Sequence, residues 1–191
     1  MAIHPQLPNA ITVARIPLAV VFFVLLLVGG TAGESSLALR WVAAVLFIVA
    51  ISTDWGDGYL ARRYEIVSDF GKLWDPIADK LLTGSAFVGL AILGEVPWWM
   101  VVVILVREWG ITAHRLVVAT THVVAAAWLG KIKTAAQGVV LSWALLPLGE
   151  LIGRGPWETV TLVGMWVVVI LTIVSGIDYV LAQVRGRGGA R

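Results

Sequence analysis

The chain contains no cysteine in its 191 residues. Disulfides, thiolate-held metals and a cysteine nucleophile are therefore excluded, and the redox compartment stays open. Charge is scarce too: 14% of residues are Asp, Glu, Lys or Arg, against 59% hydrophobic ones. A soluble domain carries about 25% charged residues, so an ordinary soluble fold is excluded. No internal repeat, low-complexity tract or polar linker divides the chain, which is expected to form a single domain over residues 1–191. The N-terminus has no signal-peptide layout, because Pro5, Pro8 and Asn9 precede an apolar run without a small-residue cleavage pattern. The net charge is only +2 and the basic residues cluster at segment borders, so nucleic acid is not an expected partner.

Long apolar runs dominate what is present. Six of them, about Asn9–Val28, Leu37–Ala61, Lys72–Leu93, Pro97–Thr120, Lys133–Ile152 and Trp157–Ala182, are separated by turn-like breaks rich in Gly and Pro. The expectation is an all-α integral membrane protein of six transmembrane helices, with the tail 185–191 unstructured. Alternating placement leaves Glu34, Glu95, Glu150, Arg154 and Glu158 on one side, with Arg40 near that end. The other side collects Arg62, Arg63, Lys72, Lys131, Lys133, Arg185, Arg187 and Arg191. Lys and Arg favour the cytoplasmic side, so both termini are expected there, in a bacterial cytoplasmic membrane. The uncharged cores Trp41–Thr53, Leu81–Gly94 and Val96–Val106 are each shorter than the about 20 residues a span requires. Their helices must carry charge into the membrane region, where it faces protein or water rather than lipid. A polar cavity open to the cytoplasm follows.

Four carboxylates stand out against this background: Asp54, Asp57, Asp75 and Asp79. An Asp in mid-membrane costs roughly 2.5–3.5 kcal/mol on insertion scales, so four together need an offset. A hard divalent cation is the natural one, since Mg²⁺, Ca²⁺ and Mn²⁺ prefer carboxylate oxygen. Asp54 and Asp57 (i, i+3) share one helix face, as do Asp75 and Asp79 (i, i+4). Gly58 and Ala61 extend the first face almost without side chain, and Arg62 adds a planar fork suited to phosphate. Gly71, one turn before Asp75, offers the same clearance. Two other readings stand beside this one. The acids could be helix caps, with Asp75-Pro76 as an N-cap followed by proline at N1, or they could serve a cation or proton transporter. Arg62 and the small residues argue against transport, as does the lack of paired broken helices in the two halves.

The string Asp54-x2-Asp57-Gly58-x2-Ala61-Arg62-x8-Gly71-x3-Asp75-x3-Asp79 resembles the signature of the CDP-alcohol phosphotransferases. That resemblance implies a six-helix membrane enzyme, homodimeric, that displaces CMP from a CDP-linked substrate. It implies that Asp54, Asp57 and Asp75 bind Mg²⁺ or Mn²⁺ with Asp79 close to the metal, and that Asp79 is the general base. It places Gly58, Ala61, Arg62, Ser68 and Gly71 at the CDP-lipid.

The acceptor has to be read elsewhere. Arg107, Arg115, Lys131 and Lys133 supply more cation than topology requires, which suits a phosphorylated acceptor. Arg107 and His114 share a helix face, as do Glu108 and Arg115, each pair being seven apart. The Glu108–Arg115 pair could equally be a structural ion pair, and the two lysines could be plain interfacial charges. Arg107-Glu108 with Arg115, the run Trp128-x-Gly130-Lys131-x-Lys133-Thr134, and Leu7-Pro8-Asn9-x2-Thr12-x2-Arg15 resemble the branch of the family that makes phosphatidylglycerophosphate. The implied substrates are CDP-diacylglycerol and glycerol 3-phosphate, with inositol phosphate or phosphatidylglycerol as the alternative acceptors. Asn9, Thr12 and Arg15 either line the cavity or serve as a cap and a snorkelling arginine.

Overall fold

The computed structural model describes the backbone of residues 7–31, 36–64, 69–118 and 128–188, and the side chains of 15–31, 36–53, 77–115 and 128–184. Among these residues every regular element is an α-helix. In chain order they are α1 Leu7–Gly29, α2 Leu37–Tyr64, α3 Asp69–Ile92, α4 Trp98–Val118, α5 Trp128–Leu145, the single turn α6 Gly149–Ile152, and α7 Arg154–Gly188. The six apolar segments thus correspond to six long helices, with three differences of boundary.

The segment expected over Lys133–Ile152 is two elements. Pro147 has no amide hydrogen and disfavours helical geometry at Leu146, so α5 stops at Leu145 and Leu148 N donates to Leu146 O at 2.8 Å. The same helix begins earlier than expected, at Trp128, which puts both Lys131 and Lys133 on it. At the other end, the tail expected to be unstructured is helical through Gly188. Extending an existing helix adds a hydrogen bond per residue without a new nucleus. Asp75-Pro76 lies well inside α3, which starts at Asp69, so the N-cap reading of that pair does not hold.

α3 is the central element and packs against α1, α2, α4 and α5. α7 covers α5 and α4 on the other side, with α6 folded onto it. The core is built from Phe22 and Leu26 of α1, Ala43, Ala44 and Phe47 of α2, Phe87 and Leu90 of α3, Ile104 of α4, Leu141 of α5 and Met165 of α7. Small residues let the backbones approach. A Cβ on Gly89 of α3 would stand 2.5 Å from Leu26 Cδ2. The outward faces are apolar as well, with Val20, Val24, Val42, Val45, Val49, Ile170, Ile173 and Ile177 all exposed. So large an apolar exterior fits a lipid environment. The stretch Arg154–Val184 of α7 is long and apolar enough to cross a membrane, and Arg15–Gly29 and Leu37–Thr53 are shorter apolar helices.

One end of the bundle is tied by a single side chain. Arg40, 1% exposed, donates from Nε to Leu145 O at 2.9 Å, from Nη1 to Gly30 O at 3.1 Å, and from Nη2 to Ala144 O at 3.0 Å. Its Nη2 also meets Glu95 Oε2 at 2.6 Å, and Glu95 is 6% exposed. The carbonyls belong to the C-terminal ends of α1 and α5, which lack intrahelical partners. Glu95 is delivered by the turn after α3. Gly94 adopts φ 74° there, Gly94 N donates to Ala91 O at 3.1 Å and Glu95 N to Leu90 O at 3.0 Å. This is the Schellman pattern, which needs a residue that tolerates a positive φ.

Candidate active site

The acidic signature is divided between two packed helices. Asp54, Asp57, Gly58, Ala61 and Arg62 lie on the second half of α2, and Gly71, Asp75 and Asp79 on the first half of α3. Ser68 lies outside the described residues, as do the side chains of the other signature positions before Asp79. Asp79 is half-buried, as is Lys80 after it, whereas Ala78 before it is fully buried. The donor set is carboxylate oxygen alone, carried on two neighbouring helices, and that chemistry fits a hard divalent cation.

Beside Asp79 the side chains of three helices converge. On α4, Met100, Ile104, Glu108 and Thr112 follow one another at i, i+4 spacing, and all but Glu108 are buried. That stripe turns Glu108, 13% exposed, into the bundle. On α5 the stripe Lys133, Gln137, Leu141, Leu145 is buried throughout, and Lys133 is 3% exposed. Glu108 Oε1 accepts from Lys133 Nζ and from Arg107 Nη1, the latter at 3.2 Å. Its Oε2 lies 3.4 Å from Lys80 Nζ of α3. Arg107 Nη2 donates to Ser175 Oγ of α7 at 3.0 Å, which fixes the guanidinium from a fourth helix. Lys80, Arg107 and Lys133 thus meet at the one carboxylate of Glu108.

The four acceptor candidates separate. Arg107 and Lys133 belong to the cluster. Lys131 is exposed, because two residues along a helix are turned roughly 200° from each other. Arg115 does not pair with Glu108. Seven residues are roughly 10 Å of helix rise, and the Arg115 guanidinium instead sits 5.3 Å over the ring of Tyr179 of α7. His114 Nδ1 shares a hydrogen bond with the Tyr179 hydroxyl at 2.8 Å. Arg15 of α1 is buried, at 7% exposure, rather than snorkelling outward. Asn9 and Thr12 lie on α1 with their side chains outside the described residues.

Two polar residues of this region escape sequence reading. Lys80 follows Asp79 directly and resembles an ordinary flanking charge until α3 and α4 are packed together. Gln137 lies one turn beyond Lys133 on the buried stripe of α5, and its amide nitrogen has no partner among the described residues. A Gln repeated four residues after a Lys in an apolar helix was the available signal.

Comparison with known proteins adds independent findings. The family model described as CDP-alcohol phosphatidyltransferase matches residues 5–174. The chain is 44% identical over 185 residues to the CDP-diacylglycerol--glycerol-3-phosphate 3-phosphatidyltransferase of Bacillus subtilis (strain 168), covering 91% of this chain and 93% of that one. It is 43% identical over 186 residues to a probable phosphatidylglycerophosphate synthase of Mycobacterium tuberculosis (strain ATCC 25618 / H37Rv), covering 97% of this chain and 85% of that one. A CDP-diacylglycerol--glycerol-3-phosphate 3-phosphatidyltransferase of Rickettsia prowazekii (strain Madrid E) is 38% identical over 182 residues, covering 94% of this chain and 96% of that one.

Proposed function

Since the chain belongs to the CDP-alcohol phosphatidyltransferase family, we propose that it moves the phosphatidyl group of CDP-diacylglycerol to glycerol 3-phosphate, giving phosphatidylglycerophosphate and CMP. The observation that carries the acceptor is the convergence of Lys80, Arg107 and Lys133 beside Asp79. Three cations gathered at one carboxylate suit a phosphate monoester dianion and would go unused with an uncharged polyol. The names of the relatives point to the same acceptor.

In this reading Asp79 takes the proton of the acceptor hydroxyl. The freed oxygen attacks the lipid-linked phosphorus, a P–O bond forms, and the bond to CMP breaks. Lys80, Arg107 and Lys133 hold the acceptor's phosphate and so orient that hydroxyl, which makes the step effectively unimolecular. Gly58, Ala61 and Gly71 leave room for the CDP-lipid, with Arg62 on its diphosphate and Ser68 at the nucleotide. Mg²⁺ or Mn²⁺ held by Asp54, Asp57, Asp75 and Asp79 would neutralise charge on the diphosphate as CMP leaves. Arg115 and Lys131, outside the cluster, supply positive potential for the approach of the anionic acceptor. The domain spans the bacterial cytoplasmic membrane six times as a homodimer, with its polar cavity and both termini on the cytoplasmic side.

An acceptor panel tests the reaction. Purified protein in detergent, given CDP-diacylglycerol and Mg²⁺, is expected to release CMP with glycerol 3-phosphate and not with inositol, inositol 1-phosphate or phosphatidylglycerol. Release with another acceptor alone would reassign the substrate. Metal removal gives a second expectation: EDTA abolishes CMP release, and excess Mg²⁺ or Mn²⁺ restores it. Turnover that persists in EDTA would remove the metal from the reading.

A further inference from the structure

Glu108 has the wrong sign for a phosphate site, yet it stands at the centre of one. Its two oxygens are shared among Lys80 of α3, Arg107 of α4 and Lys133 of α5. Three cations brought together from three helices repel one another, most strongly where water is scarce, and Lys133 is 3% exposed. A carboxylate between them removes that repulsion and fixes the directions of both ammonium groups. The donors are not exhausted by it. Each ammonium carries three N–H bonds; Lys133 directs one at Glu108 Oε1, and Lys80 Nζ forms an ion pair with Oε2 at 3.4 Å. Gln137, at 5% exposure, adds a buried amide nitrogen without a partner among the described residues, one turn from Lys133.

We infer that Glu108 is the positioning residue of the acceptor site: it gathers Lys80, Arg107 and Lys133 into a preformed cradle for a phosphate monoester dianion, with Lys80 as its third cation. This rests on the phosphorylated-acceptor reading above and deepens it. Glu108 touches no reacting atom and acts through the three cations. Lys80 has a second consequence. Being next to Asp79 on α3, it ties the cradle to the proposed base, so that holding the phosphate also sets the distance of the acceptor hydroxyl from Asp79.

The test is steady-state kinetics of CMP release by the full chain in detergent micelles, comparing wild type, Glu108→Gln, Glu108→Asp and Lys80→Gln. Glu108→Gln keeps the shape and removes the charge. It is expected to raise the KM for glycerol 3-phosphate about tenfold or more, while the KM for CDP-diacylglycerol moves less than about twofold. Glu108→Asp, one methylene shorter, is expected to recover part of the loss. Lys80→Gln is expected to raise the same KM selectively, and it decides the matter if Glu108→Gln yields no folded protein. An unchanged KM for glycerol 3-phosphate, an equal rise in both KM values, or an Asp variant no better than Gln would overturn the positioning role. Wild-type protein that releases no CMP with glycerol 3-phosphate would overturn the underlying acceptor reading instead. That result appears before any variant is compared, so the two failures are distinct.

Discussion

Replacing Asp79 by Asn is expected to lower kcat by about 10²–10⁴-fold, the range that a positioned general base contributes. Asn has nearly the same shape, so the helix should be unaffected. Asp79 also contributes through its backbone: Thr83 Oγ1 donates to the Asp79 carbonyl at 3.1 Å, a contact that Asn retains. The neighbours argue for a role in chemistry over one in packing. Ala78 is fully buried in the core, whereas Asp79 is half-buried and stands beside the lysine that joins the cationic cluster. Binding of CDP-diacylglycerol, measured by titration without acceptor, is expected to survive in Asp79→Asn, since three other carboxylates remain for the metal. The alternative is that Asp79 only helps to ligate the metal. In that case raising Mg²⁺ would restore turnover in the variant; for a base, excess metal leaves it inactive. Near-normal kcat in Asp79→Asn would end the assignment.

The helices were legible because their apolar runs are long and bounded by Gly and Pro, and because nothing in the chain competes with a helical reading. The boundaries differ where a local rule outweighs the apolar run. Pro147 forbids a continuous fifth helix, and Trp128-Leu129-Gly130 can already be helical, which places Lys131 and Lys133 on one helix and turns them apart. The acidic signature rests on i, i+3 and i, i+4 spacing, a purely local property, and its side chains before Asp79 lie outside the described residues. The cationic cluster was only half legible. Arg107 and Lys133 stand out as charges in apolar helices, but spacing offers Glu108 a partner on its own helix, at Arg115. The partners it has include Lys80 and Lys133, on other helices. Which helices adjoin is decided by the packing of faces such as Phe23 and Leu26 on Gly89. One sequence does not state that arrangement. The link between Arg40 and Glu95 was hidden for the same reason, although both were correctly placed at one end of the bundle.

That link carries the largest expected effect on stability. Arg40→Met is expected to destabilise the fold by about 3–5 kcal/mol, the usual cost of removing one partner of a buried ion pair. The substitution removes the Arg40 guanidinium from Glu95, which is 6% exposed. It also strips donors from the carbonyls of Gly30, Ala144 and Leu145. Lysine should rescue little. Its three donors radiate from one nitrogen, whereas the guanidinium reaches the ends of α1 and α5 and the Glu95 turn from three separate nitrogens. The effect separates into its parts through Arg40→Met/Glu95→Gln. Removing the Glu95 charge as well should recover part of the loss, and what remains measures the three carbonyl bonds. Thermal unfolding in detergent reads all three variants. A midpoint for Arg40→Met within the error of wild type would show that this end of the bundle is held by packing alone. Because the Arg40 contacts involve none of the proposed catalytic or acceptor-binding residues, kcat per folded molecule should stay close to wild type in Arg40→Met. This contrasts with Asp79→Asn, where the fold should persist and turnover should be lost, so the two variants together separate the part of the bundle that holds the helices from the part that does the chemistry.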